Sequence, residues 1–565
     1  MSGLTTGRVF KECVTGLGRP RTLSERLWKV LDDLSMNTTV KLISYSLSVV
    51  FFIFLILLPL ILGILLKANL FWEIFAYPEL MNRARSAILW SFIIAFTVST
   101  LDLIAGLPLA WFIVRSGSRW TKIVDSMADI PFIIPTAALG YSFLLFWSRE
   151  EGISSLFGFD SLIPPGALLV TLLHFAFSFP VIVRVMVGEL MNYREVYEVA
   201  AGTLGAQPFT IARTVTLPML KPALVASFLL AFARSLSETG ATVMVAGAFE
   251  NGPVFIKNAK DAGLESPMVF VSSILIFLSI AIFFSIDIMG PRMRLPLRKV
   301  WPNFEKKLSS ATAVKARNSL TFVVFLGLVI LPSLFIALPA VQAVIDGTLI
   351  KAVRGVGPWN RFWESITLSY AIGTIVTVVN VILGLPVAIL VARNKLGRVT
   401  SVLNMMVNIP IVIPSVALGV SLRIFWRDTF ALPEFWALVL AHTAITYTYF
   451  VRSMSAAIEG ISQEMEEVAS TLGSSPIAIF RKITFPLTKY SLFSGAILVF
   501  TRSVDETGAT IAVSEKLRTA PVLLVDWVKG TIPTSRSDIA LGIGFLVVLS
   551  FAVLLALRLL IEGRK

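Results

Sequence analysis

The chain has 565 residues, 56% of them hydrophobic and 15% charged, with a mean hydropathy of +0.82. That composition excludes an ordinary soluble domain. A net charge of +14 would suggest nucleic acid for a soluble protein. In a membrane chain the same Lys and Arg set topology, so the expected partner is the lipid bilayer, with no nucleic acid.

Residues 1–41 read as a cytoplasmic N-terminal arm carrying Arg8, Lys11, Arg19, Arg21, Arg26, Lys29 and Lys41. The single cysteine, Cys13, lies in it, so no internal disulfide is possible. The first apolar run begins too late for a cleavable signal and reads as an uncleaved anchor. A first transmembrane domain, 42–290, follows, with spans near 42–66, 86–114, 124–147, 166–188, 217–237 and 267–290. A basic cytoplasmic linker, 291–317, sets eight Lys and Arg, among them Arg294, Arg298 and Lys299, against Glu305. A second transmembrane domain, 318–565, has spans near 318–342, 364–392, 403–426, 433–454, 486–505 and 538–560. The fold class is all-α: a polytopic membrane protein of about 12 transmembrane helices in two parallel pseudo-symmetric six-helix halves. Repeats of that kind place a substrate path at their interface. Both termini are expected in the cytoplasm.

The halves share polar segments. EVAAGTLGAQPFTIARTVTLP (198–218) recurs as EEVASTLGSSPIAIFRKITFP (466–486), with Gly205 meeting Gly473 at an offset of 268 (473 − 205). GLP at 106–108 recurs at 384–386, IPFIIP at 130–135 as IPIVIP at 409–414, and RSLSETGAT at 234–242 as RSVDETGAT at 502–510. Counting spans places the first of these segments on the cytoplasmic side. A short helix ended by glycine there suits docking into a partner's groove.

The 198–218 and 466–486 segments resemble the coupling loop, or EAA motif, of permease subunits of ABC importers. Glu467, Ala469 and Gly473 match in one copy; Ala200, Ala201 and Gly205 match in the other. The first copy departs from the pattern at Val199, with Glu198 one position early; Glu466 is its counterpart. The resemblance implies that Glu198, Ala200, Ala201, Gly205, Glu466, Glu467, Ala469 and Gly473 contact ATPase subunits, one copy per loop. It also implies an extracytoplasmic solute-binding protein and a location in the plasma (cell inner) membrane. No GxxxxGK[ST] loop occurs, so the chain is not expected to be an enzyme. ATP and Mg would be used by the partner ATPase, and no cofactor or metal is expected on this chain.

Candidates for the translocation path lie inside the spans. Arg234 with Glu238, and Arg502 with Glu506, are four apart on one helix and share a face. They would form a gate or substrate-entrance site near the outer mouth, or internal salt bridges. Asp505 stands where the first half has Ser237. Pro131, Pro135, Pro410 and Pro414 interrupt span three in both halves, marking either a membrane site or packing kinks. His174 and His442 are favoured as hydrogen-bonding links between helices. Two fused halves are similar to ferric-iron and thiamine permeases, while ETGAT resembles a segment of molybdate and sulfate permeases. The expected substrate is a small inorganic ion, ferric iron ahead of an oxyanion such as sulfate or molybdate, with thiamine as an alternative. The rival function is a 12-helix secondary transporter not coupled to ATP.

Overall fold

The computed structural model describes residues 23–116, 120–292, 301–394 and 397–562. Cys13, Arg8, Lys11, Arg19 and Arg21 of the arm, and Arg294, Arg298 and Lys299 of the linker, lie outside the described residues.

The described residues are helical, without strands. In the first half the helices are α1 (Leu23–Met36), α2 (Thr38–Leu66), α3 (Pro78–Arg115), α4 (Trp120–Ile133), α5 (Thr136–Ser148), α6 (Ala167–Asn192), α7 (Val196–Thr203), α8 (Pro208–Met219), α9 (Lys221–Ser237), α10 (Gly240–Val245), α11 (Gly252–Asp261) and α12 (Glu265–Met289). The second half repeats the order as α13 (Pro302–Leu308), α14 (Ala311–Ile345), α15 (Trp359–Ala392), α16 (Arg398–Val412), α17 (Ser415–Thr429), α18 (Glu434–Glu459), α19 (Gln463–Thr471), α20 (Pro476–Val504), α21 (Gly508–Val513), α22 (Ala520–Val528) and α23 (Arg536–Glu562).

Among the described residues eight helices are long and apolar enough to cross a membrane, or eleven if each sharply bent pair is one span. The twelfth expected span is α18, 26 residues long. Its buried His442, Thr443, Thr446, Tyr447 and Thr448 make it less apolar than a lipid-facing helix, because its polar groups face protein.

The proline-interrupted spans are broken outright. α4 and α5 meet at 105°, and α16 and α17 at 101°. Pro135 and Pro414 each stand immediately before the second piece, where the missing N–H and fixed φ end the helix behind them. A further bend is one-sided. α8 and α9 meet at 74°, whereas the equivalent α20 runs on for 29 residues. Pro222 accounts for the bend; Tyr490 stands at that place in the second half.

The two halves exchange their first spans. Phe52 of α2 stacks on Tyr447 of the second half at 5.2 Å. Ser421 Oγ donates to the Leu60 carbonyl at 2.6 Å and accepts from the Ile64 N–H at 3.2 Å. In mirror fashion, Phe325 of α14 stacks on Phe179 of the first half at 5.9 Å. Ser142 Oγ donates to the Pro332 carbonyl at 2.6 Å and accepts from the Ile336 N–H at 2.9 Å. Both first spans carry a π-turn, Phe52–Leu57 and Phe325–Ile330, just before Pro59 and Pro332. These residues repeat at an offset of 273 (325 − 52). Within the linker, α13 is followed after Ser309 and Ser310 by α14.

Candidate functional site

Two regions gather the repeated residues: a cavity between the halves, and a pair of exposed loops at the far ends of α6 and α18.

Past the end of α9 the chain turns back into the protein as α10, and α21 does the same after α20. All six residues of each short helix are buried. Their close packing requires glycine on the facing helix. A Cβ on Gly140 would stand 2.7 Å from Ala241 Cα, and one on Gly419 2.8 Å from Ala509 Cα. Each histidine pins one such turn. His174 Nδ1 and Nε2 bond Ser235 and Thr242 at 2.9 and 2.8 Å; His442 bonds Ser503 and Thr510 at 3.0 and 2.8 Å. With both ring nitrogens engaged by hydroxyls, these are links between helices.

The two turns meet across the pseudo-twofold axis. A Cβ on Gly240 would overlap Thr507 at 2.7 Å, and one on Gly508 would overlap Thr239 Oγ1 at 2.7 Å. Asp505 accepts from the Thr136 N–H at 2.8 Å, the donor left exposed at the start of α5 after Pro135. The second half has no such carboxylate bond: Ser415 Oγ donates instead to the Ser237 carbonyl at 3.2 Å.

A cavity of about 1140 Å³ lies against these turns. Arg234, Ser237, Arg502 and Asp505 line one end; Asp129, Asn408 and Arg452 line the part nearer the exposed loops. Pro135 is in the wall, while Pro131, Pro410 and Pro414 shape the breaks without lining it. Glu238 and Glu506 are also absent from the wall. Each turns back to accept the backbone N–H three residues on, from Ala241 at 3.0 Å and from Ala509 at 3.1 Å.

The expected pair of i,i+4 ion pairs is therefore only half present. Arg502 contacts Glu506 at 3.2 Å. Among the described residues Arg234 has no carboxylate within ion-pair distance; its guanidinium lies over the Phe177 ring at 3.7 Å, and its Nε has no hydrogen-bond partner. Glu238 and Glu506 both lie past the last helical residue before them; the halves differ in that Arg234 has the Phe177 ring to lie over, where Ile445 stands in the second half. A second arginine pair went unassigned in the sequence. Arg184 is held by Asp125 at 2.6 Å and by Asp129, whereas Arg452 is held by the amide oxygens of Asn404 at 2.6 Å and Asn408 at 2.7 Å. The change from Asp129 to Asn408, at the offset of 279 shared by the IPFIIP and IPIVIP segments (409 − 130), is the readable signal.

The exposed loops end in matching Schellman turns. Gly205 and Gly473 have φ of +85° and +83°. Ala206 N–H bonds Ala201 O at 3.2 Å, and Ser474 N–H bonds Ala469 O at 3.0 Å. Beyond α7 and α19 the apolar tips Leu204 and Leu472 are 89% and 81% exposed, so both are presented outward. Ala200 and Glu467 are exposed as well, with Ala201 and Ala469 half-buried.

Glu198 and Glu466 do not face outward as expected of contact residues. Glu198 accepts from Arg115 at 3.2 Å and Thr216 at 2.9 Å; Glu466 accepts from Arg393 at 2.9 Å and Thr484 at 2.8 Å. They strut the loop to the neighbouring spans, because at their position the helix face points back toward the membrane body. The outward position holds Val199 in one loop and Glu467 in the other.

Several known proteins resemble parts of this chain. Sulfate transport system permease protein CysT of Escherichia coli is 30% identical over 214 residues, 36% of this chain and 74% of that protein. Molybdenum transport system permease protein ModB of Mycobacterium tuberculosis is 30% identical over 199 residues, 31% of this chain and 75% of that protein. Molybdate/tungstate transport system permease protein WtpB of Pyrococcus furiosus is 29% identical over 203 residues, 36% of this chain and 80% of that protein. The binding-protein-dependent transport system inner membrane component family matches twice, at residues 102–295 and 384–563. The chain therefore belongs to that family, the permease subunits of ABC importers, and carries its domain in both halves.

Proposed function

We propose that this chain forms the complete pore of an ATP-driven importer for an inorganic oxyanion, sulfate or molybdate in class. The observation that carries the reading is Arg234. A guanidinium on the wall of an intramembrane cavity, without an ion-pair partner among the described residues, attracts an anion and repels a cation. Asp505, which in the sequence favours a cation, has its carboxylate engaged by the Thr136 N–H. The names of the related sulfate, molybdenum and molybdate/tungstate permeases agree with this choice over ferric iron or thiamine.

In this reading α7 and α19 face the cytoplasm with both termini. Each docks one copy of a separate ATPase, which uses ATP and Mg. A solute-binding protein delivers the anion to the opposite face. The meeting of the ETG turns at Gly240 and Gly508 closes the outer end, and Asp505 on Thr136 latches it. ATP-driven closure of the ATPases draws the coupling helices together and parts the turns.

The test is uptake of labelled sulfate, molybdate and ferric iron by cells expressing the chain with its ATPase and binding protein. An Arg234→Gln variant should lose oxyanion uptake by about 10-fold or more, the scale of one charge-assisted contact. Ferric uptake that survives in Arg234→Gln, with no oxyanion uptake in the unaltered protein, overturns the substrate assignment.

A further inference from the structure

Beneath each coupling loop sits a helix that leads into a first span. Under the first loop it is α13. Glu305, fully buried, accepts from Arg213 Nη2 at 2.6 Å, from the Thr210 hydroxyl and from the Trp301 N–H at 3.2 Å. Arg213 lies over the Trp301 ring at 5.5 Å. Ser309 Oγ accepts from the Phe209 N–H at 3.1 Å.

Under the second loop it is α1, built to the same plan. Arg481, the counterpart of Arg213, lies over the Trp28 ring at 4.7 Å and reaches Asp32 at 4.0 Å. Asp32 accepts from Ser475 Oγ at 2.6 Å, and Ser35 Oγ accepts from the Ile477 N–H at 3.4 Å. Trp28 and Asp32 match Trp301 and Glu305 at the offset of 273 (305 − 32) found for the exchanged first spans. In both cases a tryptophan and an acid four residues later straddle one loop arginine.

These clamps cross between halves. α13 leads into α14, the first span of the second half, yet grips the loop of the first. α1 leads into α2, the first span of the first half, yet grips the loop of the second. We infer that Trp28 with Asp32, and Trp301 with Glu305, are positioning residues that fasten each coupling loop to the first span of the opposite half, so that a push on one loop moves the other half's first span. The inference rests on the coupling reading above. It assigns the linker between the halves a mechanical part. It also makes the first clamp, with its buried pair, the stiffer of the two: Glu305 and Arg213 side chains are 1% and 10% exposed, against 26% and 32% for Asp32 and Arg481.

The experiment measures distances by paired spin labels in the full chain, in a Cys13→Ser background, co-purified with its ATPase in lipid nanodiscs. Leu204→Cys is paired with Leu320→Cys on α14, or with Leu47→Cys on α2; all three side chains are exposed, so labels do not disturb packing within the chain, and only labelled protein that retains its ATPase and its ATP-driven uptake is measured. On adding a non-hydrolysable ATP analogue, the 204–320 distance should hold within about 2 Å while the 204–47 distance changes by more. Glu305→Ala should release the 204–320 distance and cut anion uptake per ATP hydrolysed by about 2- to 30-fold. Equal changes in both distances, or none in either, overturn the inference even if Glu305→Ala fails to fold. Failure of the unaltered chain to retain any ATPase is a different result: it sinks the coupling reading, and the inference with it.

Discussion

The two halves repeat their scaffold and diverge in their charges. His174 and His442 keep the same two hydroxyl partners, Gly205 and Gly473 the same turn, and Glu198 and Glu466 the same arginine and threonine struts. Around the cavity the matched positions differ. Ser237 faces Asp505 in the alignment, Asp125 and Asp129 face Asn404 and Asn408, and an arginine without an ion pair among the described residues faces one paired to Glu506. The repeat keeps a symmetric frame, and the asymmetry sits around the cavity between the halves. A path with unlike walls offers a charged solute different partners on its two sides, which a symmetric pore does not.

The largest expected effect tests the shared frame. His174→Ala and His442→Ala should each destabilise the protein by roughly 2–5 kcal/mol, since each deletes a buried ring and leaves the Ser235 or Ser503 hydroxyl without its partner, while Thr242 and Thr510 keep the Glu238 and Glu506 carbonyls. The loss should be equal in the two variants, read as equal falls in melting temperature in detergent. A fall in one alone would show that the frame is not shared.

The next tests the latch. Asp505→Ser makes the second half like the first and removes a charge-assisted bond of about 1.5–3 kcal/mol. ATP hydrolysis in the absence of binding protein should rise by roughly 10-fold or more as the outer end opens unprompted. Unchanged basal hydrolysis would show that the Thr136 bond holds nothing shut.

Asn408→Asp, which gives the second half the charge of the first, should raise the KM for anion uptake by about 2- to 5-fold, the scale of one partly screened charge. An unaltered KM would place the solute away from Arg452. Smaller still is the difference between the docking helices. Glu467→Val makes α19 like α7, and exposed ion pairs contribute about 0–1 kcal/mol. ATPase affinity should fall by no more than about fivefold, and Val199→Glu should not raise it further unless the ATPase presents a cation to both loops.

The clamp at Glu305 predicts an absence of pH dependence. Burial pushes its carboxyl up, but the hydrogen bonds from Thr210 and the Trp301 N–H, together with Arg213, outweigh this and hold it below the usual carboxylate range. A depressed folded value contributes stability above the unfolded value, about 4.3, and loses it only as pH falls through the folded one. Glu305→Gln should therefore cost the same stability at pH 6 as at pH 8. A cost that shrinks at pH 6 would mean the carboxyl is protonated there.

Much of this was legible in the chain. The doubled loop and the proline breaks could be read because glycine and proline act locally, through their own φ and missing groups. The missing Arg234–Glu238 contact is not readable from i,i+4 spacing, because Arg502 and Glu506 share that spacing and do pair; what differs is Phe177 against Ile445 on a neighbouring span. The facing of Glu198 and Glu466 was equally hidden, since a helix of eight or nine residues shows no burial pattern of its own. The exchanged first spans were invisible for another reason. Their partners lie more than 350 residues away along one half of the exchange, and the offset of 273 differs from the 268 of the loops, so one alignment does not reveal both.

That exchange has a price in time during synthesis. Leu60 and Ile64 finish their contacts only when Ser421 has been made, 361 and 357 residues later. At ordinary elongation speeds the wait is roughly 20–70 s. Throughout it α2 must stand without Ser421, a nascent limb without its socket; Ser421 packs so closely on Gly63 that a Cβ there would lie 2.0 Å from the Ser421 carbonyl oxygen. Ribosomes stalled shortly before residue 421 should therefore leave that helix open to capture by membrane chaperones or by another copy's second half.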